Sequence, residues 1–130
     1  MYEAVVGNPQ QAPVAANNLA WLYAESGGNL DIALQLAQAA KRQMQNSSEV
    51  DDTLGWVYYK KQVSTLAIRS LKRAVDIDGR NPVHQYHLGM AYAADGQDKM
   101  ARKTLQTALG LSKDFEGADE ARRVMGTLLY

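Results

Sequence analysis

The chain has 130 residues, 46% of them hydrophobic and 22% charged, which is the composition of a folded domain and not of a disordered segment. Fourteen Lys and Arg residues balance fourteen Asp and Glu residues, so no net charge draws the whole molecule to nucleic acid or to an anionic membrane. The absence of cysteine excludes disulfide bonds and thiolate metal sites, and no run approaches the roughly 20 apolar residues of a membrane-spanning helix. Residues 1–13 lack the pattern of a signal peptide, and a cytoplasmic or a cell-envelope location stays open.

The first stretch, Tyr2 to Pro9, has the pattern of an amphipathic helix end, because Gly7 and Pro9 interrupt it. No partner helix precedes this stretch. We therefore interpret residues 1–12 as the remnant of a preceding repeat and expect the chain to be a fragment of a longer protein.

Two helices are predicted next. Leu19, Leu22 and Tyr23 recur at helical spacing and predict a helix over 15–25, which a Ser-Gly-Gly-Asn turn ends. Apolar residues on one face then predict a second helix over 30–44, with two cations near its carboxyl end, where they suit the helix dipole.

The remaining helices are expected over 48–61, 65–77, 82–95 and 98–111, with a last amphipathic helix over 116–129. Ser47 or Ser48 caps the first of them, Ser64 the second and Asn81 the third. Gly79 is expected to stop the second in the left-handed conformation. The last helix has its acids early and reads as a solvating cap.

Residues 54 to 108 contain one spaced pattern twice, 34 positions apart. The six pairs of the pattern are Leu54 and Leu88, Gly55 and Gly89, Tyr58 and Tyr92, Ala67 and Ala101, Leu71 and Leu105, and Ala74 and Ala108. Small residues fall where two helices would touch, so the pattern indicates paired helices in a repeat protein. A first copy fits if the Gly27-Gly28 turn holds one inserted residue.

The Leu-Gly-x-x-Tyr segment, with its later Ala, apolar residue and Ala, resembles the tetratricopeptide repeat, whose period is also 34 residues. The resemblance covers about residues 13–115 and implies an all-α, right-handed α-solenoid of three helix-turn-helix repeats. The repeats are expected at 13–47, 48–81 and 82–115, with a capping helix at 116–130. The aromatic residue and the proline that the family has near the ends of its repeats are missing here.

Two aromatic segments, Asn17 to Tyr23 and Asp52 to Tyr59, are similar to the carboxyl-terminal repeats of large bacterial proteins of the exosortase and exopolysaccharide systems. That resemblance implies a bacterial parent protein in the cell envelope.

Stacked repeats of this family place the first helix of each pair on a concave face, and side chains on those helices that avoid the packing stripe are the candidate binding residues. They are Asn17, Asn18, Trp21, Glu25, Asp52, Trp56, Tyr59, Lys60, Tyr86, His87 and Met90. Trp21, Trp56 and Met90 occupy equivalent positions and form an apolar ladder. Two interpretations stay open: the ladder fills gaps between helices, or it is an aromatic strip that receives a peptide.

Some members of the family bind a terminal carboxylate with Lys and Asn side chains, but only Asn18 matches such a position here. An acidic groove mouth of Glu49, Asp51 and Asp52 would favour a partner with Lys or Arg. Complementation of the helix dipole explains the same acids without any partner.

Eight basic residues on the second helices could form an outer band for nucleic acid or anionic lipid, although a solvated face explains them better. They are Lys41, Arg42, Arg69, Lys72, Arg73, Lys99, Arg102 and Lys103. His84 and His87 lie three apart on one helix, but the sequence offers no third metal ligand. No motif of a catalytic site occurs, so we expect no enzyme, no metal and no cofactor.

The sequence thus predicts a non-catalytic module that binds a peptide or protein segment in a concave groove. Nucleic acid and membrane insertion are not expected. The alternative is a structural spacer or self-association segment of a cell-envelope or exopolysaccharide assembly protein, with homo-oligomers formed through exposed repeat ends.

Overall fold

The computed structural model describes residues 12–128, which form seven α-helices and no strand. The helices are α1 (Ala12–Glu25), α2 (Leu30–Gln43), α3 (Ser48–Lys60), α4 (Ser64–Ile77), α5 (Pro82–Ala94), α6 (Asp98–Leu111) and α7 (Ala118–Met125). The prediction of an all-α fold is confirmed. The interpretation of the amino-terminal stretch as a helix remnant falls on residues 1–11, which lie outside the described residues, and residue 12 already belongs to α1.

Short polar side chains start three of the helices. The Asn29 and Asn81 side chains accept hydrogen bonds from backbone N–H groups in the first turns of α2 and α5, and Ser47 does the same for α3. The prediction for Ser64 is wrong, because α4 begins at Ser64 itself and its cap, Val63, makes no side-chain hydrogen bond.

The turn inside each pair of helices has one left-handed residue at the equivalent position: Gly27, Gln62 and Gly96. The turn between α1 and α2 has four residues, 26–29, whereas 61–63 and 95–97 have three each. The predicted one-residue insertion is therefore confirmed, and it changes no helical face because it lies in the turn.

Gly79 does not have the left-handed conformation that the sequence predicted. The helix α4 ends at Ile77, with Asp78 as its cap, and Gly79 has no positive φ. A Cβ at Gly79 would lie 3.0 Å from the Val75 carbonyl oxygen, so the position favours a small residue for lack of space. From the sequence alone, a glycine near a helix end does not reveal whether a left-handed backbone or a lack of space requires it.

The last helix is shorter than predicted. It runs from Ala118 to Met125 and not over 116–129, because Gly117, at φ 105°, turns the chain directly before it. Leu129 lies outside the described residues.

The helices pack as three consecutive pairs, and α7 packs on α5 and α6. Within residues 12–128, neighbouring first helices contact each other, α1 with α3 and α3 with α5, whereas the second helices α2, α4 and α6 do not. The layer of first helices is therefore the narrower one and forms the concave side. The two helices of a pair approach closely because a glycine of one faces a leucine of the other. Gly55 of α3 faces Leu71 of α4, and Gly89 of α5 faces Leu105 of α6.

None of the helices in the described part of the chain is long and apolar enough to cross a bilayer. On α1, Leu22 is 60% exposed, and Val14 is also exposed. The expectation that copies associate through such surfaces stays a prediction.

Candidate functional site

The predicted binding residues lie on the first helices, but at very different depths. Asn18, Glu25 and Lys60 are exposed, Asn17, Trp21 and Tyr59 are half-buried, and Asp52, Trp56, Tyr86, His87 and Met90 are buried. The structure therefore separates them into a buried aromatic layer and a more accessible rim. Trp56 and Met90 pack in the core, as the gap-filling interpretation of the ladder predicts, while Trp21 is half-buried at its edge, so peptide binding by this strip stays a prediction.

Trp56 is the centre of this layer. Its ring stacks on Tyr59, with centroids 4.4 Å apart, and on His87, at 4.0 Å. Its indole N–H donates to Glu25 Oε2 across 2.6 Å, from α3 to α1. Lys60 Nζ lies 5.4 Å from the ring centroid. The indole thus joins three helices, because Glu25, Tyr59 and His87 come from α1, α3 and α5.

Below the ring layer, α3 and α5 share a buried charge. Asp52 accepts from Nδ1 of His87, which lies 2.9 and 2.8 Å from its two oxygens, and a carboxylate can only accept, so this nitrogen is the donor. Nδ1 of His84 lies 3.2 Å from Asp52 Oδ1 without the alignment of a hydrogen bond. Burial alone would raise the pKa of Asp52, but His87 and His84 together hold that pKa below its ordinary value.

A small cavity opens on the concave side between α1, α3, α5 and the turn before α7. Its volume is about 120 Å³. Its lining consists of Trp21, Glu25, Trp56, Val83, Tyr86, His87, Glu116 and Gly117. We call it the aromatic cavity. An engineered apolar cavity of about 150 Å³ holds benzene, so this one has room for the end of a single side chain.

A second, more open cavity of about 330 Å³ continues from it along the same face. Its lining consists of Asn17, Asn18, Trp21, Glu49, Asp52, Thr53, Asn81, Val83 and His84. Since Trp21 and Val83 line both cavities, the two form one groove. We call it the concave groove.

The turn into α7 completes the aromatic cavity. Phe115 lies 5.7 Å from Tyr86 between ring centroids, and a Cβ at Gly117 would lie 2.4 Å from Tyr86 Cε2. Only a glycine allows this approach, and its φ of 105° also favours glycine. The cap predicted as a solvating helix therefore also supplies a wall of the cavity.

Two tyrosines of the aromatic layer have raised pKa values, mainly because they are buried. The pKa of Tyr86 is raised to about 12, first by burial and then by the nearby Glu120, Tyr59 and Glu25, with Arg123 opposing. Burial and Glu120 also raise the pKa of Tyr59, and Arg123 again opposes. Both tyrosines therefore remain neutral donors at physiological pH.

The predicted acidic mouth of the groove has a different composition. Asp51 is buried away from the groove, where Lys41 Nζ lies 2.9 Å and Arg73 Nε 3.9 Å from its oxygens, and Asp52 is buried among the histidines. Glu49 is the member of that trio that is exposed, and it lines the groove.

The different depths of the two tryptophans can be measured. In a Trp21→Phe variant, the remaining Trp56 is 5% exposed, and we expect blue-shifted emission that acrylamide quenches poorly. In Trp56→Phe, the half-buried Trp21 should emit further to the red and be quenched more strongly. Equal quenching of both variants would contradict this arrangement of the groove.

Most of the outer basic residues are exposed, but Lys41 and Arg102 are engaged within the chain. Lys41 pairs with Asp51, and Arg102 donates to the Met125 carbonyl oxygen. Binding of an anionic polymer by this face stays a prediction. Among residues 12–128, no group of three His, Asp or Glu side chains is arranged to hold a metal ion.

The predicted set did not include Glu116, Gly117 or His84, which line the groove. His84 and His87 were considered as metal ligands, whereas the structure brings both to Asp52. A glycine directly before a short helix is a sequence signal for a left-handed turn. Its contact with Tyr86 depends on the path of the chain after α6, which no local pattern gives.

The sequence model of the tetratricopeptide repeat family matches residues 85–115. No curated protein sequence matches the chain significantly. Several solved structures have a similar fold. The first tetratricopeptide-repeat domain of human RPAP3 is 17% identical with a TM-score of 0.78, and the match covers 92% of this chain and 93% of that one.

Two similar structures contain a peptide. The second tetratricopeptide-repeat domain of human RPAP3, in complex with the HSP70 peptide SGPTIEEVD, is 16% identical with a TM-score of 0.77, over 92% of this chain and 97% of that chain. The Yersinia enterocolitica chaperone SycD, in complex with a peptide of the translocator YopD, is 23% identical with a TM-score of 0.72, over 87% of this chain and 86% of that chain. Residues 85–115 of the present chain are therefore a tetratricopeptide repeat, and the helices around them have the fold of a tetratricopeptide-repeat domain.

Proposed function

We propose that the chain is a non-catalytic module that binds an extended or helical segment of another protein in the concave groove. The observation that supports this most directly is the continuity of the two cavities across Trp21 and Val83. One cavity is aromatic and small enough to take one side chain, and the other is open and polar enough to follow a backbone. Aromatic anchors beside polar rims are the usual arrangement of peptide sites.

The comparisons support the proposal at the level of the fold. Two domains with similar folds hold peptides, one from HSP70 and one from YopD. Their identities to this chain are too low to transfer a partner, so the chemistry of the partner has to come from this groove.

The experiment is a selection of peptides from a random twelve-residue library displayed on phage, with the chain immobilised. Selected peptides are synthesised and titrated into the wild type and two groove variants. We expect Trp21→Ala to raise Kd at least about tenfold, because aromatic anchors contribute most of the energy at such sites. Val83→Phe, which fills the junction of the cavities without opening a hole, should weaken binding similarly.

The control is Arg69→Ala, on the exposed side of α4. It should leave Kd unchanged within about twofold, since single surface substitutions outside a contact have small effects. Circular dichroism checks that each variant is folded. Selected peptides that bind both groove variants as tightly as the wild type would place the binding surface elsewhere and remove the proposal.

A further inference from the structure

Apart from His84 and His87, which are buried beside Asp52, the ionisable side chains of Asp, Glu, Lys and Arg type that line the concave groove are all acidic. Among the described residues that line its two cavities, four are acidic and none is Lys or Arg. Asp52 is buried, and its oxygens accept from Nδ1 of His87 inside the chain. Glu25, Glu49 and Glu116 are exposed.

Two of these carboxylates flank the aromatic cavity from opposite ends of the fold. Glu25 ends α1, and Glu116 lies in the turn before α7. In the described part of the chain neither forms an ion pair, although Asp31, Asp119 and Glu120 all do. One oxygen of Glu25 accepts from Trp56, which fixes that carboxylate at the edge of the aromatic wall.

The shape of the cavity matches a long cationic side chain. Trp21, Trp56 and Tyr86 supply apolar walls for a methylene stem, and Lys and Arg bury such stems while their charged ends stay near water. Glu25 and Glu116 are the exposed residues of the lining, so they are the groups available to a charged end at the surface. The chain shows the same type of contact internally, since Lys60 Nζ lies 5.4 Å from the Trp56 ring. Lys60 does not line the cavity, so it leaves the cavity available.

We propose that the aromatic cavity is an anchor site for one Lys or Arg side chain of a basic protein segment, with Glu25 and Glu116 as its counter-charges. This inference rests on the proposed function and names the chemistry of the partner. Burial is the main cause of the raised pKa of Tyr86, and the nearby acids Glu120 and Glu25 add to it while Arg123 opposes. A partner of the opposite kind, such as the peptide SGPTIEEVD with three acidic side chains and no basic one, would be repelled.

The test uses the peptides of the same random library. We expect them to share at least one Lys or Arg at a fixed position. Replacing that residue by norleucine, or by Gln, should raise Kd about tenfold or more. The variants Glu25→Gln and Glu116→Gln keep the side-chain size, and the amide oxygen that Glu25→Gln introduces can still accept from the Trp56 indole. Each should weaken binding about threefold to fivefold, the upper range for exposed ion pairs, and added salt should reduce these differences.

The matched control is Asp76→Asn, which removes the same unit charge from the exposed side of α4. It should change Kd by less than about twofold, because Asp76 is exposed on a second helix and lines neither cavity. The peptide SGPTIEEVD serves as the acidic comparison and should not compete.

The outcomes separate the two proposals. Peptides that lose affinity with Trp21→Ala but share no basic residue, or that respond equally to Glu116→Gln and Asp76→Asn, would overturn the cationic anchor and leave peptide binding in the groove intact. Peptides indifferent to Trp21→Ala would overturn both. Basic peptides that respond to both Glu variants and not to Asp76→Asn would support both.

Discussion

The variant Gly55→Ala is expected to destabilise the fold, although alanine is the better helix former. A Cβ at Gly55 would lie 2.5 Å from Leu71 Cγ and 3.2 Å from the Ala67 backbone oxygen, and that oxygen cannot rotate away. The pair α3 and α4 must separate or Leu71 must leave its rotamer, which costs about 1–3 kcal/mol. The gain of about 1 kcal/mol in helix propensity offsets only part of this cost.

The comparison is Gly110→Ala, a glycine inside α6. Apart from its chain neighbours and the backbone of its own helix, no heavy atom of the described residues lies within 4 Å of a Cβ at that position, so the variant should be stabilised by about 0.5–1 kcal/mol. Urea unfolding of both variants gives the two free energies of unfolding. Equal effects of the same sign would show that the close approach at Gly55 is unimportant.

The first repeat suggests a second substitution that should offset part of the destabilisation caused by Gly55→Ala. Its equivalent pair is Ala20 and Ala37, both buried, where the other two repeats have Gly and Leu. We expect Leu71→Ala alone to cost about 2–5 kcal/mol, as leucine truncation in a core does. The double variant Gly55→Ala/Leu71→Ala should cost less than the sum of the single variants, because the added methyl group occupies space that the leucine vacates. Simple additivity would contradict direct contact between the two positions.

The same contact explains why the fold could be predicted. The matching positions of Gly55 and Gly89 are dictated by the distance between paired helices, so the spacing of small residues carries tertiary information within one repeat. Helix starts were predictable where Asn81 and Ser47 supply an acceptor to free N–H groups. The backbone conformation of Gly79 was not predictable, because it depends on the path to the next helix.

The site was less predictable than the fold. Repeat periodicity indicates which residues face the concave side, as for Trp21 and Trp56, but burial depends on what the neighbouring helix contributes. Trp56 is covered because His87 and Tyr59 stack on it. Glu116 reaches the cavity only because Gly117 turns the chain against Tyr86. Contacts between different repeats, and between the last repeat and the turn before α7, therefore determine the chemistry of the groove.

The largest single loss of stability in the groove layer is expected for Asp52→Ala. Removing this carboxylate leaves Nδ1 of His87 buried without its acceptor, on a side chain that is 2% exposed. Loss of one partner of a buried polar cluster costs about 3–5 kcal/mol. His87 also supports the Trp56 ring, so the fluorescence of Trp56 should change together with stability. The control Glu49→Gln, on the same helix but exposed, should cost less than about 0.5 kcal/mol.

The pH dependence of the free energy of unfolding provides a second test of the role of Asp52. The pKa of Asp52 is lower in the folded chain than its ordinary value of 3.8. As the pH falls, the Asp52 carboxylate is therefore protonated in the unfolded chain at a higher pH than in the folded chain. The resulting stabilisation is complete above the ordinary value and is lost as pH falls through the lowered folded-state value. Asp52→Asn keeps an oxygen that can accept from His87 but cannot titrate. The difference in free energy of unfolding between wild type and Asp52→Asn should therefore shrink as the pH falls from about 5 through the ordinary pKa of 3.8 and below it. If it stays constant over that range, the carboxylate is not the ionised acceptor between the two histidines, and the charge that links α3 to α5 has to be assigned to another group.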